Sequence, residues 1–112
     1  MKLFFLDDDL NRKQQFKRRF PDAEIVFAET ASEAILKLSE DLTYDAIFLD
    51  HDLGGRIFVA SEEENTGYQV AKFLSDKVVE GRIIIHSWNA VGAKRMLELL
   101  PGAVHVPFSI TK

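Results

Sequence analysis

The stretch Asp45–Gly55 reads DAIFLDHDLGG. An apolar run of strand length, Ala46 to Leu49, gives way to Asp50, His51 and Asp52, and two glycines follow. A short apolar run bounded by turn residues marks a fully buried strand. Such a strand, ending in two carboxylates around a histidine, carries titratable groups to the edge of a sheet. Taken alone, that edge admits a phosphoacceptor, a metal site, an acid/base pair or a polar turn.

The same alternation recurs on both sides of this stretch. Lys2–Leu6 (KLFFL) is an apolar run that ends in Asp7, Asp8 and Asp9. Residues 11–20 follow with helical spacing, Phe16 and Phe20 lying on one face, and Pro21 stops them. Glu24–Ala28 (EIVFA) is a second strand, and Thr30 with Glu33 forms a capping box for a helix carrying Ala31, Ala34, Ile35 and Leu38. After the central strand, Thr66 precedes a helix with Val70, Ala71, Leu74 and Val78 inward, stopping near Gly81. Arg82–His86 (RIIIH) is a fourth strand; Asn89 caps a helix with Ala93, Met96, Leu97 and Leu100 inward; Ala103–Val106 is a weak fifth strand. Strands apolar on both faces belong to a parallel sheet with helices on both sides. The expectation is a single three-layer α/β domain of form (βα)4β over residues 1–112. Only Ser109–Lys112 follow the last strand, so a fifth helix is not expected. The face it would have covered suggests a partner or a homodimer.

Composition narrows the function classes. The chain has 112 residues, no cysteine and a net charge of −4, which argues against thiolate metal sites and a broadly basic nucleic-acid surface. Absence of cysteine fits a cytoplasmic protein. No apolar run approaches the length of a membrane span. The opening MKLFFLDDD has too short an apolar part, with acids directly after it, for a signal peptide. The five basic residues from Arg12 to Arg19 read either as a solvated helix face or as a polyanion contact.

In open parallel sheets, ligands bind beyond the carboxyl ends of the strands. Asp7, Asp8 and Asp9 lie there after the first strand, with Asp50, His51 and Asp52 after the third, His86, Ser87 and Asn89 after the fourth, and His105 near the end of the fifth. Carboxylates gathered in this way repel one another unless a hard cation neutralises them or some hold protons. Ser87 and Asn89 suit a phosphate oxygen, or equally the capping of the fourth helix.

These motifs resemble the receiver domain of two-component response regulators over nearly the whole chain. FLDDD is similar to the acidic pair after the first strand, which implies Asp7 and Asp8 as ligands of Mg²⁺ or Mn²⁺. IFLDHDL is similar to the strand of the phosphoacceptor, implying Asp50, also as a metal ligand. HSW resembles the hydroxyl-bearing end of the fourth strand and VPF the end of the fifth, but Val106 stands where a receiver has lysine. The resemblance implies a flavodoxin-like sheet of order 2-1-3-4-5, without the final helix. Asp7–Arg12 (DDDLNR), Leu49–Leu53 (LDHDL), Thr66–Gly67 and His86–Gly92 (HSWNAVG) resemble more closely a divergent branch of receiver-derived domains proposed to process cyclic phosphates.

That branch implies a phosphoesterase acting on a 2′,3′-cyclic phosphate of a nucleotide or RNA end. Opening such a ring needs an activated water, a proton for the leaving oxygen and neutralisation of developing charge. His51 and His86 are the expected base and acid, with Asp50 or Asp52 orienting His51. Arg12, Thr66, Ser87 and Asn89 are expected to hold phosphate oxygens. A metal-assisted version would use Asp7, Asp8 and Asp50, and His51 is a further possible ligand. The competing class is a receiver-like switch or binding module without catalysis, with Asp50 as phosphoacceptor. The long segment from His51 to Asn65 suggests a small flap over the edge.

Overall fold

The computed structural model describes residues 1–56 and 59–108. Five strands, β1 (Lys2–Leu6), β2 (Glu24–Ala28), β3 (Ala46–Leu49), β4 (Arg82–Ile85) and β5 (Val104–His105), form one parallel sheet of order β2-β1-β3-β4-β5. Four helices connect them: α1 (Leu10–Arg19), α2 (Ala31–Glu40), α3 (Gly67–Leu74) and α4 (Ala90–Leu99). This is the flavodoxin-like receiver architecture. The described residues contain no helix after β5, and residues 109–112 lie outside them.

Side chains alternate between two cores. Phe4, Leu6, Ile47, Leu49 and Ile85 face α2, α3 and α4, whose Ala34, Leu38, Val70, Ala71, Leu74, Ala93 and Met96 complete a buried cluster. Leu3 and Phe5 face the other way, against Phe16 of α1 and Phe108 beyond β5. Phe5 is the hub there, stacked on Phe16 at 4.1 Å between ring centroids and on His86 at 4.9 Å and 9°. Each such aromatic pair adds about 0.5–1.5 kcal/mol to simple burial. Phe27 and Phe48 on this side are only half-buried; this is the face for which self-association was expected.

The caps follow the residue types. Asp9, Thr30 and Asn89 accept from the amides of Arg12, Glu33 and Gly92 and so satisfy the first orphan donors of α1, α2 and α4. The Glu33 carboxylate reaches back to the amide of Glu29, one residue before the expected partner in a capping box. The third helix is shorter than expected. Its last turn tightens as the amides of Ser75 and Lys77 bond the carbonyls of Lys72 and Leu74, three residues back, and the helix ends at Leu74. Val78, expected inward, is 86% exposed.

Candidate functional site

β1, β3 and β4 end at the same edge, and the residue after each strand continues the ladder. The amide of Asp7 bonds Ala28, that of Asp50 bonds Leu6, and that of His86 bonds Leu49, at 2.9–3.1 Å. Parallel pairing of β1 with β3 and β3 with β4 thus sets Asp7, Asp50 and His86 side by side, although they are far apart in sequence. One ligand-type atom from each lies within 4.8 Å of the others, and all three residues are buried.

Asp7 accepts four hydrogen bonds. Its Oδ2 takes Arg12 Nε at 2.7 Å and His86 Nε2 at 2.9 Å; its Oδ1 takes Arg12 Nη2 at 3.0 Å and the amide of Asp9 at 2.9 Å. Burial pushes the Asp7 carboxyl up, but the bonds from His86 and Arg12 outweigh it and hold the group below its ordinary value. Burial likewise opposes the charge of Arg12, yet its bond to Asp7 and the nearby Asp50 and Asp9 carry its pKa above the usual value. Arg12 Nη2 also reaches Asp50 Oδ2 at 3.5 Å.

Asp50 has less support. Its Oδ1 accepts the amide of His51 at 2.8 Å. Burial dominates, the attraction of His86 is partly offset by repulsion from Asp7, and the carboxyl is pushed up to about 6. His86 must carry its proton on Nε2, because the Asp7 carboxylate only accepts; its buried Nδ1 has no partner among the described residues.

A cavity of about 260 Å³ opens over these groups. Asp50, His86, Ser87 and Arg12 line it, with Asp8, Asp9 and Asp52 on its acidic side and Arg56 and Trp88 also in its wall. The Ser87 hydroxyl accepts the amide of Asn89 at 3.0 Å, and the Ser87 carbonyl accepts His105 Nε2 at 2.8 Å.

His51 does not reach this cavity. It is fully buried, donating from Nδ1 to Asp52 Oδ1 at 2.8 Å and accepting at Nε2 from the Ser61 hydroxyl at 2.8 Å. The same Asp52 oxygen also takes Asn89 Nδ2 at 3.0 Å and the amide of Val59 at 3.1 Å. Both ring nitrogens of His51, expected as an acid or base, are thus engaged away from the cavity, and what reaches it is Asp52. Gly92 explains part of the HSWNAVG spacing, since a Cβ there would stand 2.6 Å from the His51 ring. Gly67 explains the Thr66–Gly67 pair in the same way, because its Cβ would fall 1.7 Å from the carbonyl oxygen of Asp50.

Thr66 and Asn89 also sit beneath the edge rather than on it. Thr66 is fully buried and donates to the carbonyls of Ser61 and Glu63 at 3.2 and 3.0 Å, and Asn89 caps α4. Neither lines the cavity with Ser87 and Arg12. Asp8 lies apart from Asp7, Asp50 and His86, accepting the amide of Gly55. His86 stands in its place within that group. The expected flap is pinched at its base by a bridge between Asp52 and Thr66 and tied by the bidentate pair Arg56–Glu63 at 2.7 and 3.1 Å. Ile57 and Phe58, within the stretch expected to form the flap, lie outside the described residues. Sequence reading missed Ser61 and Trp88. Ser61 bears no local signal, but Trp88 stands directly beside Ser87 within HSW.

Residues 1–102 match the family described as the cyclic-phosphate processing receiver domain, and the chain belongs to that family. No curated protein matches it. Among solved structures, the response regulator TrrA of Thermotoga maritima, in complex with Mg²⁺ and BeF, superposes with a TM-score of 0.74 at 21% identity, covering 97% of this chain and 87% of that one. The non-phosphorylated HemR receiver domain of Leptospira biflexa gives 0.72 at 20% identity, covering 98% and 85%. A receiver domain of Methylobacillus flagellatus gives 0.70 at 17%, covering 98% and 87%. TrrA is also found in complex with the histidine kinase ThkA. At these identities the likeness is one of fold. No helix among the described residues is long and apolar enough to cross a membrane.

Proposed function

We propose that the chain is a phosphoesterase that opens a cyclic phosphate in the cavity above Asp50 and His86. The observation that carries this reading is His86. It lines the cavity, is fixed through Nε2 by Asp7 and is stacked on Phe5, while its buried Nδ1 has no partner among the described residues. A carboxylate that orients one imidazole nitrogen leaves the other to take or give a proton. Asp50, pushed up to about 6, holds a proton for part of the time near neutrality and is the matching acid. In the reaction, water adds through oxygen to phosphorus as His86 takes its proton. The bond from phosphorus to one ester oxygen of the ring breaks, and that leaving oxygen takes the proton of Asp50. Arg12 and Ser87 are the groups for the phosphate oxygens, and Asp52, held by His51 and Asn89, borders the water's approach. The cytoplasm is the compartment that a cysteine-free chain suits.

The donor set does not fit a divalent cation as it stands. A carboxylate offers about four lone-pair sites, and those of Asp7 are taken by Arg12, His86 and the amide of Asp9. The guanidinium occupies the role that a metal ion would have between Asp7 and Asp50. Turnover of nucleoside 2′,3′-cyclic phosphates, followed by phosphorus NMR, tests the reaction. It is expected to persist in EDTA and to be lost in His86→Ala; turnover that survives that substitution would falsify the assignment.

A second reading, a phosphoacceptor switch that meets a protein partner, is favoured by one observation: Asp7 and Asp50 end neighbouring strands of the fold that TrrA also has. Against it, Val106 is 55% exposed and offers no cation. Tight binding of beryllofluoride that requires Mg²⁺ would establish this reading in place of the first.

A further inference from the structure

Trp88 has no role in the acid/base arrangement. It lies in the cavity wall next to Ser87 and two residues from His86, is 67% exposed, and among the described residues has no ring stack, cation–π or side-chain hydrogen-bond partner. A single exposed indole on an open surface would mean little, but an aromatic face in the wall of a cavity that also holds charged groups is the lining of a ligand site. Its backbone is locked on either side. The carbonyl of Ser87 is held by His105, the hydroxyl of Ser87 holds the amide of Asn89, and Asn89 caps α4. The ring is thus displayed from a fixed main chain.

We propose that Trp88 is a stacking platform for a nucleobase, so that the cyclic phosphate processed here is that of a nucleoside rather than of a base-free polyol. This rests on the proposed reaction and names its substrate class. The cavity has the volume of a small-ligand site, near the lower limit of such pockets, which suits one nucleotide unit and not a stretch of polymer. Its floor supplies Arg12, Ser87 and His86 for the phosphate, and an aromatic face one residue away takes the base. Stacking on an aromatic side chain is tolerant of base identity, so little preference among the four bases is expected.

The chain contains one tryptophan, so selectively excited indole emission reports on this position alone. Adenosine 2′,3′-cyclic phosphate is expected to change that emission saturably, and glycerol cyclic phosphate to leave it unchanged and bind at least about tenfold more weakly. Trp88→Ala is expected to raise KM for the adenosine compound about tenfold or more and leave the glycerol compound unaffected. Trp88→Phe should restore most of the difference. An oligonucleotide ending in the same cyclic phosphate separates the two sources of the nucleoside: if only it is turned over, and in a Trp88-dependent way, the base is that of an RNA end. If the adenosine compound is turned over but emission and Trp88→Ala kinetics do not change, the platform is wrong and the reaction stands. If emission saturates with the adenosine compound but nothing is hydrolysed, the platform stands and the reaction is wrong. Absence of any saturable change in emission with either nucleotide overturns the platform whatever the turnover.

Discussion

Two histidines end neighbouring strands, and their surroundings differ in one decisive respect. His51 after β3 has both ring nitrogens engaged, by Asp52 and Ser61, and no exposure. His86 after β4 has one nitrogen fixed by Asp7 and one, also buried, without a partner among the described residues. A satisfied buried network makes a rigid support, whereas an unsatisfied group keeps chemical capacity at a cost in stability. The contrast separates the part of the edge that holds shape from the part to which the proposed reaction assigns proton transfer.

The widest separation between the two should come from activity. His86→Ala is expected to lower turnover of a cyclic phosphate by about 10²–10⁴-fold, and also to lower the denaturation midpoint, since it removes the stack on Phe5 and the bond to Asp7. A comparable loss in His51→Ala at unchanged stability would erase the distinction. Next come the glycines that give the supporting loop its room. Gly67→Ala drives a methyl into the Asp50 carbonyl, and Gly92→Ala drives one into the His51 ring. Urea denaturation should show a cost of about 3 kcal/mol or more for the first and about 1–3 kcal/mol for the second, because backbone yields less than a ring. His51→Ala should cost about 2–3 kcal/mol in the same measurement, leaving Ser61 and Asp52 short of a partner.

The smallest effect concerns Asp50. With its folded pKa near 6, against an ordinary value of 3.8, Asp50 contributes stability that is fully present below about pH 4 and is lost as pH rises through about 6. Asp7 runs the other way, its contribution being lost as pH falls. The difference between wild type and Asp50→Asn isolates the first group. In the presence of chelator, Asp50→Asn should be more stable by about 1–3 kcal/mol at pH 7, the gain fading towards pH 4. A gain that does not change with pH would mean that Asp50 is not destabilised by its charge.

Most of the fold is legible because apolar runs of strand length alternate with capped helical patterns, as in Lys2–Leu6 and Thr30–Glu40. Val78 misleads because its spacing continues the helical stripe while the last turn has already closed at Ser75. At the site, strand ends place Asp7, Asp50 and His86 together. What the sequence cannot rank is which neighbour of a strand end turns outward. His51, between two acids, reads as the more reactive histidine, but its Nε2 partner lies ten residues on, in a segment with no periodicity. Asp8 reads as a ligand of the pair, yet the chain turns there to meet Gly55. Arg12 reads as a phosphate-binding residue of the DDDLNR motif, but its bond to Asp7 shows only once α1 starts at Leu10 and its first turn carries the guanidinium back.

That last placement has a consequence beyond the reaction. A freely exchanging ion occupies its site according to its concentration in the surroundings. Arg12 hangs on the first turn of a helix whose cap, Asp9, adjoins the acids it neutralises, so its local concentration is set by the length of a side chain. As a side chain of the same chain it cannot be diluted away from the acids it pairs with. In the proposed reading, a charge tethered to the chain thus stands at Asp7 where an exchanging cation would follow a cell's mineral supply.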